Sequence, residues 1–215
     1  MSTHIKFCGI TRAEDALIAA DFGVDAIGMV FTRQSKRYVG IAQARQIRRT
    51  LPPFISTVAL FMDDEPAWIA QVIADVQPDL LQFHGAETET FAAGFARPYI
   101  KTVPMASVDD AAAYAARYPS AAGLLLDSHA GGTLGGTGTT FDWSRAPRAL
   151  GRPIVLAGGL DARNVAQAIA IVRPYAVDVS SGIESMPGIK DAAKMRAFVA
   201  AVRGASNEPD FITPS

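Results

Sequence analysis

The sequence predicts a single (β/α)8 barrel of the α/β class. Three features carry that prediction: eight short apolar runs, amphipathic segments between and after them, and no break in composition from residue 1 to 203. Alternation of this kind favours a parallel sheet with helices outside it, and eight similar units close most simply into one barrel. An open doubly wound sheet is the competing architecture, but it has no use for eight units.

The apolar runs place strands at about 5–8, 25–31, 54–61, 79–83, 99–103, 123–127, 154–157 and 176–179. Helical periodicity places helices at about 12–22, 42–50, 66–76, 87–95, 107–117, 143–150, 162–172 and 188–203. Several helices carry start signals: Pro66 behind an acidic run, Ser107 followed by Asp109 and Asp110, and Asp161 ahead of its segment. Residues 204–215 are polar with two prolines and are expected to form a mobile tail.

Twenty basic and twenty-one acidic residues, mixed along the chain, leave a net charge of -1 and no long-range field for nucleic acid or an anionic membrane. An anionic ligand must therefore be held by local groups. One cysteine excludes an internal disulfide, and the scattered His4, His84 and His129 lack the spacing of a zinc site, so no metal is expected. The polar N-terminus has no basic n-region, and no apolar stretch approaches the ~18 residues of a membrane span. These features predict a cytoplasmic chain, monomer or homodimer, acting on a small molecule.

In a parallel barrel the reacting groups collect at the carboxyl ends of the strands. Cys8 and Asp127 each end an apolar run more than a hundred residues apart, so a thiol and a carboxyl can meet across a substrate; this points to proton transfer. Taken alone, Cys8 reads as a small core residue and Asp127 as a turn residue or cap. Side chains alternate across a strand, so Cys8 shares a face with Lys6, Asp127 with Leu125, His84 with Gln82 and Asp178 with Ala176. Ile5, Phe7, Leu81, Phe83, Leu124 and Leu126 then face the helices. A buried Lys6 needs a carboxylate, and Asp178 on the strand that closes the barrel is the expected partner. His84, before Gly85, reads as a rim histidine with a supporting role.

The glycine turns Leu156-Ala-Gly158-Gly159-Leu160 and Val179-Ser-Ser181-Gly182-Ile183 follow strands seven and eight, where barrel enzymes hold phosphate on backbone N–H groups. A third cluster, Gly131 to Gly138, lacks the lysine followed by serine or threonine of a nucleotide loop and reads as a loop able to close over substrate. The loop from Thr32 to Tyr38 offers three cations, of which one arginine can grip a carboxylate bidentately.

Together these segments resemble the phosphoribosylanthranilate isomerase family over residues 4–203. The resemblance is carried by Lys6-Phe-Cys-Gly-Ile-Thr11, Gly28-Met-Val-Phe31, Ser35-Lys-Arg-Tyr38, Leu81-Gln-Phe-His-Gly85, Leu126-Asp-Ser128, Gly135-Gly-Thr-Gly138 with Phe141-Asp-Trp143, Leu156-Ala-Gly-Gly-Leu160 and Asp178-Val-Ser-Ser-Gly-Ile-Glu184. Each is weak alone, and the ordered set is specific. Lys36 stands where the family often has proline, while Arg37 is retained. The resemblance implies a cofactor-free Amadori rearrangement of N-(5-phosphoribosyl)anthranilate. It makes Asp127 the general acid, Cys8 the general base, Arg37 the anthranilate carboxylate site, Asp178 a contact near the aromatic amine, and Gly159, Ser181 and Gly182 the phosphate cradle. Such roles demand a protonated Asp127 and an ionised Cys8, against free values near ~3.9 and ~8.5. A histidine-pathway isomerase would carry aspartate at the end of strand one, and indole-glycerol-phosphate synthase a different lysine and glutamate pattern. A silent phosphosugar-binding barrel would need the loops but not Cys8 with Asp127.

Overall fold

The computed structural model describes residues 2–129, 140–147 and 150–206. Its eight parallel strands pair in chain order and close into a barrel: β1 (His4–Phe7), β2 (Ala26–Val30), β3 (Ser56–Phe61), β4 (Leu80–Phe83), β5 (Tyr99–Pro104), β6 (Gly123–Asp127), β7 (Ile154–Leu156) and β8 (Ala176–Val179). The ring closes where β8 pairs with β1, with Lys6 opposite Asp178. Seven α-helices are described: α1 (Ala13–Asp21), α2 (Ile41–Thr50), α3 (Pro66–Val76), α4 (Glu89–Ala93), α5 (Ala111–Ala116), α6 (Val165–Val172) and α7 (Ala192–Ser206).

Strand parity sorts the core into two systems. Ile5, Phe7, Leu81, Phe83, Leu124 and Leu126 join the large apolar cluster that includes the buried faces of the helices. Inside the barrel, Ile100, Leu125, Val155, Ala157 and Ala176 pack together, and Cys8 sits with Val30 and Leu60. Apart from Thr57 on β3 and Lys101 on β5, the strands turn an apolar face to the helices, and the other face can carry polar groups toward the strand ends.

Several helix limits differ from the sequence expectation. Segment 143–150 was expected to be a helix; among its described residues a 3-10 turn forms, Trp143–Arg145, and Pro147 holds Ala146 extended at φ -65° and ψ 128°. Glu87 is excluded from α4, which starts behind Thr88, whose side chain accepts from Phe91 N–H. The cap of α5 is Asp110, accepting from Ala112 and Ala113, rather than Ser107. The segment opening at Gly188 is not helical at first: β9 (Glu184–Met186) and β10 (Ile189–Lys190) form an antiparallel hairpin around Pro187-Gly188. At its other end α7 runs to Ser206, into the stretch expected to be a tail. The remainder of that stretch, 207–215, and the glycine cluster 131–138 lie outside the described residues.

Candidate active site

Cys8 follows the last residue of β1, and its N–H still donates to Val179 of β8, so the thiol keeps the inward orientation of Lys6. Gly28 on β2 faces both. A Cβ there would stand 2.9 Å from the sulfur and 3.2 Å from the Lys6 nitrogen, so the glycine leaves the room that thiol and ammonium share. Lys6 donates to Asp178 at 2.9 Å, the pairing that alternation anticipates. Burial alone would lower the ammonium's pKa, but Asp178 and the thiol outweigh it and hold it above the ordinary value.

Asp127 ends β6 between two imidazoles. His129 Nδ1 lies 3.3 Å from Oδ1, and His129 N–H donates to the same oxygen at 3.2 Å. His84 Nε2 lies 3.9 Å from Oδ2, while its Nδ1 meets the Thr102 hydroxyl at 3.1 Å. The two rings stack at 4.2 Å and 19°. The sequence treats these histidines as scattered, yet the fold brings two of them onto one carboxylate. His84, Asp127 and His129 offer side-chain ligand atoms within 4.8 Å of one another, and the two rings that face the carboxylate lie nearly parallel.

The electrostatics reverse what the chemistry demands. Burial beside Val30 and Leu60 pushes the Cys8 thiol up, and Lys6 only partly offsets it. Burial also pushes Asp127 up, but the hydrogen bond from His129 and the facing His84 outweigh it and hold the carboxyl below its usual range. His84 is driven from 6.5 to about 3, chiefly by burial, against the pull of Asp127. At rest the site holds a thiol and a carboxylate.

Arg37 reaches in from the loop after β2, over Gly9, where a Cβ would collide with its stem at 2.5 Å. Glu184 grips Nε and Nη2, each at 2.8 Å. The guanidinium is thus aimed from behind, and only its Nη1/Nη2 end is left for a ligand carboxylate. Burial raises Glu184, but Arg37 and Lys190 outweigh it and hold the carboxyl low. Lys190 bolts the hairpin to the barrel, donating to the Cys8 carbonyl at 2.6 Å, to Ser180 O at 3.2 Å and to Glu184 at 2.9 Å.

The two glycine turns line the same pocket, and Ser180 of the second stands beside the Arg37 stem at Gly9. Gly158 takes φ +82°, and a Cβ on it would stand 2.5 Å from Ser128 N. Ser180 Oγ is buried without a partner among the described residues. One pocket is lined by Cys8, Arg37, His84, Asp127, Gly158, Gly159, Asp178, Ser180 and Ser181. Of the residues the sequence nominates, Gly182 is not on that wall. It lies beneath it, where any Cβ would run into the Leu160 carbonyl, so its lack of a side chain lets the two loops touch. Sequence reasoning missed His129, Ser180, Glu184 and Lys190 as site residues; the Pro187-Gly188 pair is the turn signal that marks the hairpin carrying two of them.

A closed parallel barrel that brings a thiol, a carboxyl and two glycine turns to the carboxyl ends of its strands defines the class: a (β/α)8-barrel enzyme built for a small phosphorylated substrate. Residues 5–201 match the model of the N-(5'-phosphoribosyl)anthranilate (PRA) isomerase family. An N-(5'-phosphoribosyl)anthranilate isomerase of Pseudomonas paraeruginosa is 55% identical over 202 residues, 94% of this chain and 96% of the relative. The phosphoribosyl anthranilate isomerase of Thermus thermophilus superposes with a TM-score of 0.85 at 36% identity, over 94% of this chain and 99% of that one. A family member solved with reduced 1-(o-carboxyphenylamino)-1-deoxyribulose 5-phosphate superposes at 0.77 with 37% identity, over 94% and 99% of the two chains. This chain belongs to the N-(5'-phosphoribosyl)anthranilate isomerase family. Among the described residues no helix is long and apolar enough to cross a membrane.

Proposed function

We propose that this chain converts N-(5'-phosphoribosyl)anthranilate into 1-(2-carboxyphenylamino)-1-deoxy-D-ribulose 5-phosphate, a step of tryptophan biosynthesis in the cytoplasm, with Cys8 and Asp127 dividing the proton transfers. The observation that carries this reading is one pocket lined by both groups together with Arg37 and residues of the two glycine turns. Phosphate at Gly158, Gly159 and Ser181, with Gly182 keeping the loops in contact, and the anthranilate carboxylate at Arg37 would stretch the substrate across the barrel mouth. The sugar carbons then lie between thiol and carboxyl, and Asp178 lies near the aromatic amine.

Asp127 donates its proton to the ribose ring oxygen; the bond from that oxygen to C1 breaks, and the nitrogen lone pair forms a Schiff base. The Cys8 thiolate takes the C2 proton, and the released pair moves to C1–C2 and neutralises the nitrogen, giving an enolamine. Loss of the C2 hydroxyl proton and protonation at C1 complete the ketone. Only protons and the substrate's own electron pairs move, so the steps call for no redox cofactor.

The reactive form, thiolate with neutral carboxyl, is a minority of the free protein. Substrate shifts the balance: phosphate disfavours the Asp127 charge and the Schiff base favours the thiolate. The two groups titrate as a coupled pair. Cys8→Ala and Asp127→Asn should each lower turnover by ~10²-fold or more, with binding of phosphate ligands kept. Substrate fluorescence measures the loss. Turnover near that of the unaltered protein in either variant removes that residue from its role, and an inert unaltered protein removes the reading itself.

A further inference from the structure

We infer that His129, through its ring and backbone N–H on Asp127, is a positioning residue that decides how the acid of the site is protonated before substrate arrives. This rests on the isomerase reading and deepens it. The ring is buried, its Nδ1 stands 3.3 Å from Oδ1, and neither ring nitrogen has a hydrogen-bond partner among the described residues beyond this approach. Its stacking on His84 at 4.2 Å leaves the carboxylate one imidazole per oxygen.

The other charges that reach the trio are Lys6 on β1, Lys101 on β5 and Asp178 on β8. Segment 130–139 contains no titratable side chain. Among the described residues that follow β6, His129 is the titratable group that bears on Asp127.

The direction of control follows from the resting state. With the acid's pKa below that of the base, the productive form is constant between the two values and falls away outside them. The acid limb of kcat/KM then reports Asp127 in the free protein, and the height of the plateau reports the gap between Asp127 and Cys8. Taking away the nitrogens that face Oδ1 should raise Asp127, narrow the gap and lift the plateau about tenfold for every pH unit the limb moves.

The experiment compares pH profiles of kcat/KM for His129→Phe, which keeps a ring against His84 but no nitrogen, and His129→Asn, whose amide can still donate to Oδ1. Circular dichroism checks folding, and His129→Leu replaces the Phe variant should the larger ring disturb the loop. The apolar variant is expected to move the acid limb to higher pH, while the Asn variant stays near the unaltered profile. A folded apolar variant with an unmoved acid limb and a uniform loss of rate would overturn the inference, as would an Asn limb that travels with the apolar one. Loss of turnover in the unaltered protein would instead count against the isomerase reading.

Discussion

Lys6 shows how one residue links the fold to the chemistry. It joins β1 to β8 through Asp178 and sets positive potential beside Cys8. Lys6→Met should raise the pH at which the thiol becomes reactive, whereas Asp178→Asn, which removes a negative charge that opposes ionisation, should lower it. Alkylation rates of Cys8 against pH measure both; shifts of the same sign, or none in folded variants, would leave the pair a purely structural role. This pair was legible because two-residue alternation and barrel closure dictate it. Cys8, Asp127 and His84 were legible for the same reason. His129 was not: it lies past the end of β6, where alternation no longer constrains direction. The protonation order was hidden too, because it depends on His84 from one strand meeting His129 from another loop.

Among the elements, the link from β4 to β5 is held by a charge that the pattern of strands does not explain. Lys101 lies on the helix-facing side of β5 at 0% exposure, where Tyr99 and Val103 join the apolar cluster. It donates to Phe83 O at 3.2 Å, Gly85 O at 2.6 Å and Glu87 at 3.2 Å. This draws Glu87 out of the helical pattern and delays α4 to Glu89. Lys101→Met leaves a buried carboxylate uncompensated and should cost about 3–5 kcal/mol in urea unfolding. The double variant Lys101→Met with Glu87→Gln should recover a large part of that loss, since the amide still accepts from Asp63 N–H at 2.9 Å in place of the carboxylate. A double variant no more stable than the single one would mean that the lost carbonyl contacts, not the stranded charge, dominate. Strand positions were readable because apolar runs of this length have few other uses. Helix ends were less so, since proline at 147 and a lysine fourteen residues beyond Glu87, bonded to Phe83 of β4, act through tertiary structure.

Across the whole barrel, most of the buried titratable groups lie on the inner face and at the strand ends, with Lys101 on the helix-facing side of β5 and Asp15 on α1 as exceptions, so stability and pH are linked through a small set of residues. His84 is the main one above the carboxylate range. Its pKa falls from 6.5 to about 3 in the folded chain, so the unfolded chain binds the extra proton between those values. Stability is therefore full above about 6.5 and is lost progressively as pH falls toward the folded value. Asp127 and Glu184, held below their ordinary 3.8 and 4.5, act in the same direction but only further down, once the unfolded carboxylates take up protons. Urea midpoints measured from about pH 7.5 to 4.5 should thus already decline in the upper half of that interval, and His84→Gln should flatten that part while keeping the steeper acid loss. A midpoint that holds constant down to about pH 5 in the unaltered protein would show that folded His84 accepts its proton, with Asp127 as its counter-ion, and that burial does not keep the ring neutral.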